Sequence, residues 1–423
     1  MANSRRLTVL AINYPPEPNG NAPYSGALAT GLARAGHRVT AHVTHPHYPA
    51  WSISEGYGQW SRVEVIDGVR VRRMRHYVPN PPRSVRRLAS EISFGLRLLA
   101  APKTDPEVVI ALSPALFSTW IASWRLGGRP LVVWVQDIYS LGLSEIGEGG
   151  GLAAKVTHAV EGRTLRRASR IVVIHDRFKR RLIELYNIDP SRITVMRNWT
   201  YIAPAEIGDV AKAREERGWD SDEIVVLYTG NFGAKQGLEN VIEAARQAAG
   251  VDRKVRFVLM GGGGDEDRLR KLAGVSVGSG EPAVSMDGRL EFHGPLPAQQ
   301  FRRALAAADI LLVSEKPGVS ESSVPSKLAT YFDAGRAVIA AGDPEGITAA
   351  ELEAADAGVF VPAGEPRRLL DAVLSLAADG ARAAKLGQNG RRFRETEMDQ
   401  GIALKRWDEL VDEVSREGAR RAR

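Results

Sequence analysis

Residues 224–242, IVVLYTGNFGAKQGLENVI, constrain this chain more than any other stretch. The run Ile224-Val225-Val226-Leu227-Tyr228 has the unbroken, β-branched apolar character of a parallel-sheet strand covered on both faces. Gly230 and Gly233 follow, and glycine lets a backbone turn sharply and come close to a ligand because it has no Cβ to clash. A helix expected from about Gly237 would offer unpaired N–H groups and the positive end of its dipole to an anion, with Lys235 adding a full charge at its mouth. Strand, glycine loop and helix in that order form a phosphate-binding turn. Taken alone, the stretch is equally readable as an ordinary loop with a solvated lysine.

The same alternation runs through the whole chain. Strands are expected at 7–13, 39–44, 108–112, 131–135, 171–174 and 193–196, with a hairpin of 63–66 and 69–74 turned by Asp67-Gly68. The prolines of YPPEPNGNAPYSG are expected to hold off the first helix until about Ser25. Between 201 and 222 the pattern lapses into a polar stretch containing Pro and Gly, read as a linker. Strands then resume at 224–228, 255–260, 290–292, 310–313, 337–340 and 359–361. The fold class is therefore α/β: two doubly wound, Rossmann-like domains at 1–200 and 223–400, with 401–423 as a helix returning to the first. Ligands of such sheets sit at the carboxyl ends of the strands, which makes a cleft between the halves the expected site.

Charge is divided unevenly. Residues 1–200 hold 27 Lys+Arg against 14 Asp+Glu, net +13, so the remainder of the +7 chain is net −6. A basic half suits nucleic acid, an anionic membrane or a phosphorylated substrate. Within it, residues 83–101 place Val85, Leu88, Ile92, Leu96 and Leu99 on one helical stripe beside Arg83, Arg86, Arg87 and Arg97, a basic amphipathic helix or an arginine-flanked core helix. The arginines lack interleaved aromatics for base stacking, which argues against nucleic acid. There is no cysteine, no apolar run long enough to span a bilayer, and no secretory leader at MANSRRLTVLAIN. A cytoplasmic protein is expected, peripheral at most on the inner face of the membrane.

Four strand-end loops of the second half are expected to converge on one ligand. They are the loop already described, the glycine run 261–264 with Gly262 and Gly263, the turn His293-Gly294, and residues 315–327 ending Pro325-Ser326-Lys327. Lys327 at a helix start would bring a second cation to a bound anion. Asp265-Glu266-Asp267 reads as helix capping rather than a metal-binding pair. His42, His45 and His47 have no carboxylate close in sequence, and a zinc site is not expected. Gln136-Asp137 ends the strand LVVWV, placing a carboxylate at the expected cleft or at a helix N-cap.

These stretches, in order, resemble a retaining glycosyltransferase of family 4 with the GT-B fold, close to bacterial surface-polysaccharide members. YPPEPNGNAPYSGALATGLARAGHRV resembles the family's N-terminal glycine loop and helix, and MRNWTY its corner before the linker. TGNFGAKQGLENVI, LMGGGGDEDRL, LEFHGPLP and ALAAADILLVS resemble successive parts of its nucleotide-sugar domain. The resemblance implies a nucleotide-sugar donor, most simply a uridine diphosphate sugar, with no metal or other cofactor. The acceptor hydroxyl would belong to a lipid-linked sugar or a small molecule, with no nucleic-acid partner. It implies Gly20, Gly230, Asn231, Gly233, Gly262, Gly263, His293, Gly294, Pro325, Ser326 and Lys327 as donor contacts, Asn21, Tyr24, His47 and Gln136 as acceptor contacts, and Lys235, Glu321 and Asp137 as catalytic. Three departures stand out. Asn231 replaces the usual Arg, Gln136 replaces a His, and the family's glutamate pair falls on Ser322 and Thr330, leaving Glu321 as the nearest substitute. A sugar-nucleotide epimerase of the same fold is the alternative enzyme.

Overall fold

The computed structural model describes residues 4–18, 20–81, 84–102, 104–113, 115–145, 151–199, 209–275, 282–318 and 327–421. Contacts divide the chain into two compact units, Met1–Tyr201 with Gln400–Arg423, and Ile202–Asp399.

The first unit runs β1 (Arg6–Ala11), α1 (Ala22–Arg34), β2 (Arg38–Thr44), β3 (Ser61–Ile66), β4 (Val69–Met74), α2 (Ser84–Ala100), β5 (Val108–Leu112), α3 (Leu116–Ser123), β6 (Leu131–Val135), α4 (Tyr139–Glu145), α5 (Leu152–Arg167), β7 (Arg170–Val173), α6 (Asp176–Tyr186) and β8 (Ile193–Val195). Its sheet has the order β3-β4-β2-β1-β5-β6-β7-β8. The β3–β4 hairpin is antiparallel and turns on Asp67 and Gly68, both at positive φ, as its sequence requires. The other pairings are parallel, and the central β5 and β6 are buried along their whole length. Helix α1 starts at Ala22, three residues earlier than Pro23 led us to expect, because a proline in the first helical turn removes only an N–H that has no helical partner.

The second unit runs α7 (Val210–Glu215), β9 (Ile224–Asn231), α8 (Glu239–Gln247), β10 (Val255–Gly262), α9 (Glu266–Ala273), β11 (Ala283–Ser285), β12 (Leu290–His293), α10 (Ala298–Ala307), β13 (Ile310–Ser314), α11 (Lys327–Ala334), β14 (Ala337–Gly342), α12 (Ile347–Ala355), β15 (Gly358–Pro362), α13 (Pro366–Ala378) and α14 (Gly380–Glu397). Its sheet order is β11-β12-β10-β9-β13-β14-β15, parallel apart from the short edge strand β11. Part of the stretch read as a linker is structured: the Asp209 side chain caps α7, and Trp219 is buried with its indole N–H on Glu291 Oε2 at 3.2 Å. Residues 201–208 lie outside the described residues.

The closing helix α15 (Gln400–Arg421) packs on α1 and β5 of the first unit. Trp407 is fully buried with its ring 5.0 Å from that of Trp134, His37 Nε2 lies 2.6 Å from Asp408 Oδ1, and Arg5 bridges Asp412 and Glu107 at 3.0 and 3.2 Å. No described helix is long and apolar enough to cross a membrane.

Candidate active site

In the second unit, strands β9 and β10 continue in register into their glycines, pairing Gly230 with Gly261 and Asn231 with Gly262. A Cβ on Gly261 would stand 1.9 Å from the Gly230 carbonyl oxygen, so the two strand ends approach as only glycine allows. The loops beyond them close on each other through Phe232 N–H to Gly262 O and Asp265 N–H to Phe232 O, both at 2.9 Å. The exposed Asn231 side chain lies between the loops: Cβ atoms on Gly263 and Gly233 would stand 2.5 Å from its Oδ1 and 2.6 Å from its Nδ2.

Lys327, the first residue of α11, reaches this cradle. Its Nζ lies 3.4 Å from where a Gly230 Cβ would be and 3.9 Å from the centre of the Tyr228 ring. Desolvation pulls the Lys327 ammonium down to about 7, and the Glu315 carboxylate pulls the other way. One turn along α11, the Tyr331 hydroxyl accepts from Thr229 N at 2.9 Å and donates to Leu312 O at 3.2 Å, tying the helix to the ends of β9 and β13. Sequence reasoning missed Tyr228 and Tyr331, and took in Glu315 only as the start of the fourth loop. The spacing of Lys327 and Tyr331, four residues apart on one helix face, was the available signal.

Lys235 sits differently from expectation. It lies in a short 3₁₀ turn, Ala234–Gln236, its carbonyl accepting from Lys316 N at 2.8 Å, and Gly237 at φ 54 separates it from α8, which begins only at Glu239. The helix expected from about Gly237 therefore starts two residues later, after this left-handed residue. Glu315 at the end of β13 takes the Thr348 hydroxyl at 2.5 Å. His293 ends β12, its Nδ1 3.1 Å from Gly294 O, and lines a cavity of about 340 Å³ with Arg217, Gln300 and Arg303. Glu321, Pro325 and Ser326 lie outside the described residues. Asp265 makes no side-chain cap. It accepts from Arg268 at 2.9 Å, while Glu266 holds the buried Arg270 at 2.9 Å. Among the described residues no three His, Asp or Glu gather as metal ligands.

In the first unit a chain of hydrogen bonds links the carboxyl ends of the central strands. Asn21, the N-cap of α1, donates to Ser113 O at 3.3 Å, and Ser113 Oγ donates to Asp137 O at 3.1 Å. Gln136 and Asn198 exchange amide hydrogen bonds at 2.7 and 3.2 Å, joining two segments 62 residues apart. Buried Tyr24 packs edge-on against Trp134 and Trp199. Gly20 lies under the Tyr48 ring, with 3.6 Å from its would-be Cβ to that ring.

His47 is buried beside Glu17, which accepts from the backbone N–H groups of His47 and Tyr48 at 2.7 and 2.9 Å and lies 3.2 Å from His47 Nδ1. Its ring neighbours are Trp51 and His76, at 5.9 and 4.8 Å, not the His42 and His45 adjacent in sequence. Burial, then the charges of His47 and His45, push His76 down to about 3, a neutral imidazole.

Comparison with known proteins follows this division. Residues 19–199 match the glycosyl transferase 4-like domain and residues 223–379 match glycosyl transferases group 1. The chain is 31% identical over 353 residues to WcaI of Escherichia coli K12, a glycosyl transferase named for colanic acid biosynthesis, covering 79% of this chain and 83% of that one. It is 29% identical to D-inositol 3-phosphate glycosyltransferase 1 of Catenulispora acidiphila, covering 77% and 76%. Among solved structures it resembles sucrose-phosphate synthase of Thermosynechococcus elongatus, with TM-score 0.72, 17% identity and 97% and 99% coverage. It also resembles Anabaena HepE in complex with UDP-glucose, with TM-score 0.67, 17% identity and 97% and 100% coverage. The chain belongs to the glycosyl transferase 4-like family and has the GT-B fold of two Rossmann-like domains.

Proposed function

We propose that this glycosyltransferase moves a sugar from a UDP-sugar to an acceptor hydroxyl in surface-polysaccharide biosynthesis, with retention at the anomeric carbon and without a metal. The observation that carries the reading is Lys327 Nζ poised 3.4 Å from where a Cβ on Gly230 would stand, beside the closely paired glycine ends of β9 and β10. Lys327 and Lys235 stabilise the charge that builds on the departing diphosphate, and fixed cations of that kind supply the largest share of many rate enhancements. The departing phosphate takes the acceptor proton on the same face of the sugar, so no protein base is required. Asp137, at the carboxyl end of β6, and Gln136, Asn21, Tyr24 and His47 hold the acceptor. The resemblance to a UDP-glucose complex and the relative named for colanic acid biosynthesis support this choice of substrates.

UDP and UDP-glucose are expected to stabilise the fold by about 2.7 kcal/mol at 100 times the dissociation constant, read as a rise in melting temperature in a thermal-shift series. GDP and ADP should do markedly less, and EDTA should leave the UDP effect in place. No stabilisation by UDP, or stabilisation only with Mg²⁺ or Mn²⁺, refutes the donor or the metal independence. Release of free UDP with an epimerised sugar, acceptor absent, would mark an epimerase instead.

A lipid-linked acceptor requires contact with the membrane, and the outer face of α2 suits it. Ile92 and Leu96 are 36% and 56% exposed, and near them Trp60, 70% exposed, carries the Arg97 guanidinium 3.7 Å over its ring. Leu88 is instead packed against α3, so the expected single stripe is split; Arg83 lies outside the described residues. Arg86→Glu with Arg87→Glu should weaken sedimentation with anionic vesicles roughly tenfold or more, since each basic residue contributes about 1 kcal/mol at such a surface. Equal partitioning of wild type and variant, or of the wild type to neutral vesicles, rules this face out.

A further inference from the structure

The inner face of α2 carries a carboxylate that the reaction does not use. Glu91 is buried, its Oε2 accepts from Phe117 N at 2.9 Å at the start of α3, and its Oε1 takes the Tyr139 hydroxyl at the start of α4. The Leu116 N–H donates to it as well. Helix α3 follows β5 and Ser113; helix α4 follows β6 and Gln136-Asp137. One carboxylate therefore holds the two helix starts that leave adjacent strand ends, and those strand ends are themselves joined by Ser113 Oγ to Asp137 O.

A second buried carboxylate grips the same turn from the other side. Glu161 of α5 accepts from Tyr139 N at 2.8 Å, Ser140 N at 3.1 Å and the Tyr186 hydroxyl at 2.5 Å, and Ser140 Oγ meets Tyr186 Oη at 2.9 Å. An apolar side chain in place of Glu91 would fill such a core without the large desolvation penalty of a buried carboxylate. What an apolar group would not do is accept simultaneously from two helix starts.

We propose that Glu91 is a positioning residue: through Phe117 and Tyr139 it sets the loops carrying Ser113 and Asp137 at the acceptor end of the site, and it does so as the carboxylate. The inference rests on the acceptor role given to Asp137 above. The titratable groups facing Glu91 are Tyr139, with Asp137 and Glu161 beyond it; α3 contributes backbone donors. Burial raises Glu91 to about 7, while the hydrogen bonds from Tyr139, Phe117 and Leu116 oppose the rise. Protonation removes one acceptor oxygen from the set and loosens the brace.

The test is amide hydrogen exchange on the full chain about one pH unit below and above that value, corrected for intrinsic rates, followed by kcat for UDP-glucose hydrolysis across the same range. In the wild type, protection at Phe117, Tyr139 and Ser140 should fall roughly tenfold on the acid side, the loss expected for a hydrogen bond to a charged group. Glu91→Gln, which keeps shape and one acceptor, should erase that step. Tyr139→Phe should lower protection at 139–140 and leave Phe117 protected. The wild-type kcat should show an acid limb that Glu91→Gln lacks, with the KM for UDP-glucose unchanged. Equal protection at both pH values in the wild type, or the same step and limb retained in Glu91→Gln, overturns the proposal. Failure of UDP to stabilise the wild type would sink the donor assignment and leave the exchange result to decide this one.

Discussion

Lys327→Met is expected to lower transfer roughly 10²-fold or more, the usual loss when a fixed charge facing a developing anion is removed, and at the same time to raise the melting temperature. The two effects share one cause. The ammonium is held at about 7, well below its ordinary 10.5, because the folded unit desolvates it against the Tyr228 ring. A lysine whose folded value is depressed binds its proton more weakly folded than unfolded. The fold therefore carries the full penalty below pH 7 and sheds it between 7 and 10.5. Methionine fills the space without charge, so its stabilisation should be greatest below pH 7 and fade as the pH rises. On the reading proposed above, the site stores this unfavourable charge for the donor, whose diphosphate would restore the partner that water supplied. Above pH 7 UDP binding should accordingly take up a proton, visible in calorimetry as a heat that varies with the buffer's ionisation enthalpy. The wild-type kcat/KM for donor should fall toward tenfold per pH unit there. A variant that loses activity but melts lower than wild type at acid pH would contradict the linkage; one that keeps wild-type turnover would remove Lys327 from the reaction.

Where local chemistry alone decides the outcome, the sequence was readable. Asp67-Gly68 specifies its hairpin because both residues tolerate positive φ, and the β-branched runs of β9, β13 and β14 can only be covered strands. The glycine ends of β9 and β10 were legible for the same reason: Gly230, Gly261 and Gly263 all take a positive φ there. What was not legible depends on residues distant in sequence. Gly237 takes a left-handed conformation where the Glu315 carbonyl and Lys316 Cα crowd it, 3.0 Å from a would-be Cβ, and no local pattern shows that this delays α8 to Glu239. His47 looked like one of a local trio, yet what meets its ring from that trio is the His45 backbone carbonyl, 3.0 Å from Nδ1, while Glu17 and His76 come from other loops. The Gln136–Asn198 pair and the Glu91–Tyr139 brace join segments 62 and 48 residues apart. A carboxylate destined for burial inside a helix stripe looks, in sequence, like any solvated glutamate.

Gly261→Ala should abolish donor binding at a moderate loss of stability. Its Cβ would stand 1.9 Å from Gly230 O and 2.9 Å from Gly230 C, both backbone atoms, at φ 149 where an alanine is itself strained. No side-chain rotation relieves that contact, so the ends of β9 and β10 must part. Upstream the strands are anchored by pairs such as Val226 with Phe257 and Leu227 with Val258, all fully buried, so the unit should still fold. Overpacking of this kind typically amounts to about 1–3 kcal/mol, or roughly 5–10 °C at its upper end in a unit of this size. The functional loss should be far larger, because on the reading proposed above the displaced atoms are those that place the ligand. Gly230 shifts beneath Lys327 Nζ, and Asn231 loses the slot between the two loops. UDP should then give no measurable thermal shift at concentrations that stabilise the wild type. Gly264→Ala is the control three residues on: its Cβ meets nothing within 4 Å, and it should bind UDP and melt as the wild type does. If Gly261→Ala retains the wild-type UDP shift, the close approach of the strand ends is not what builds the donor site, and the diphosphate must be held elsewhere in the unit.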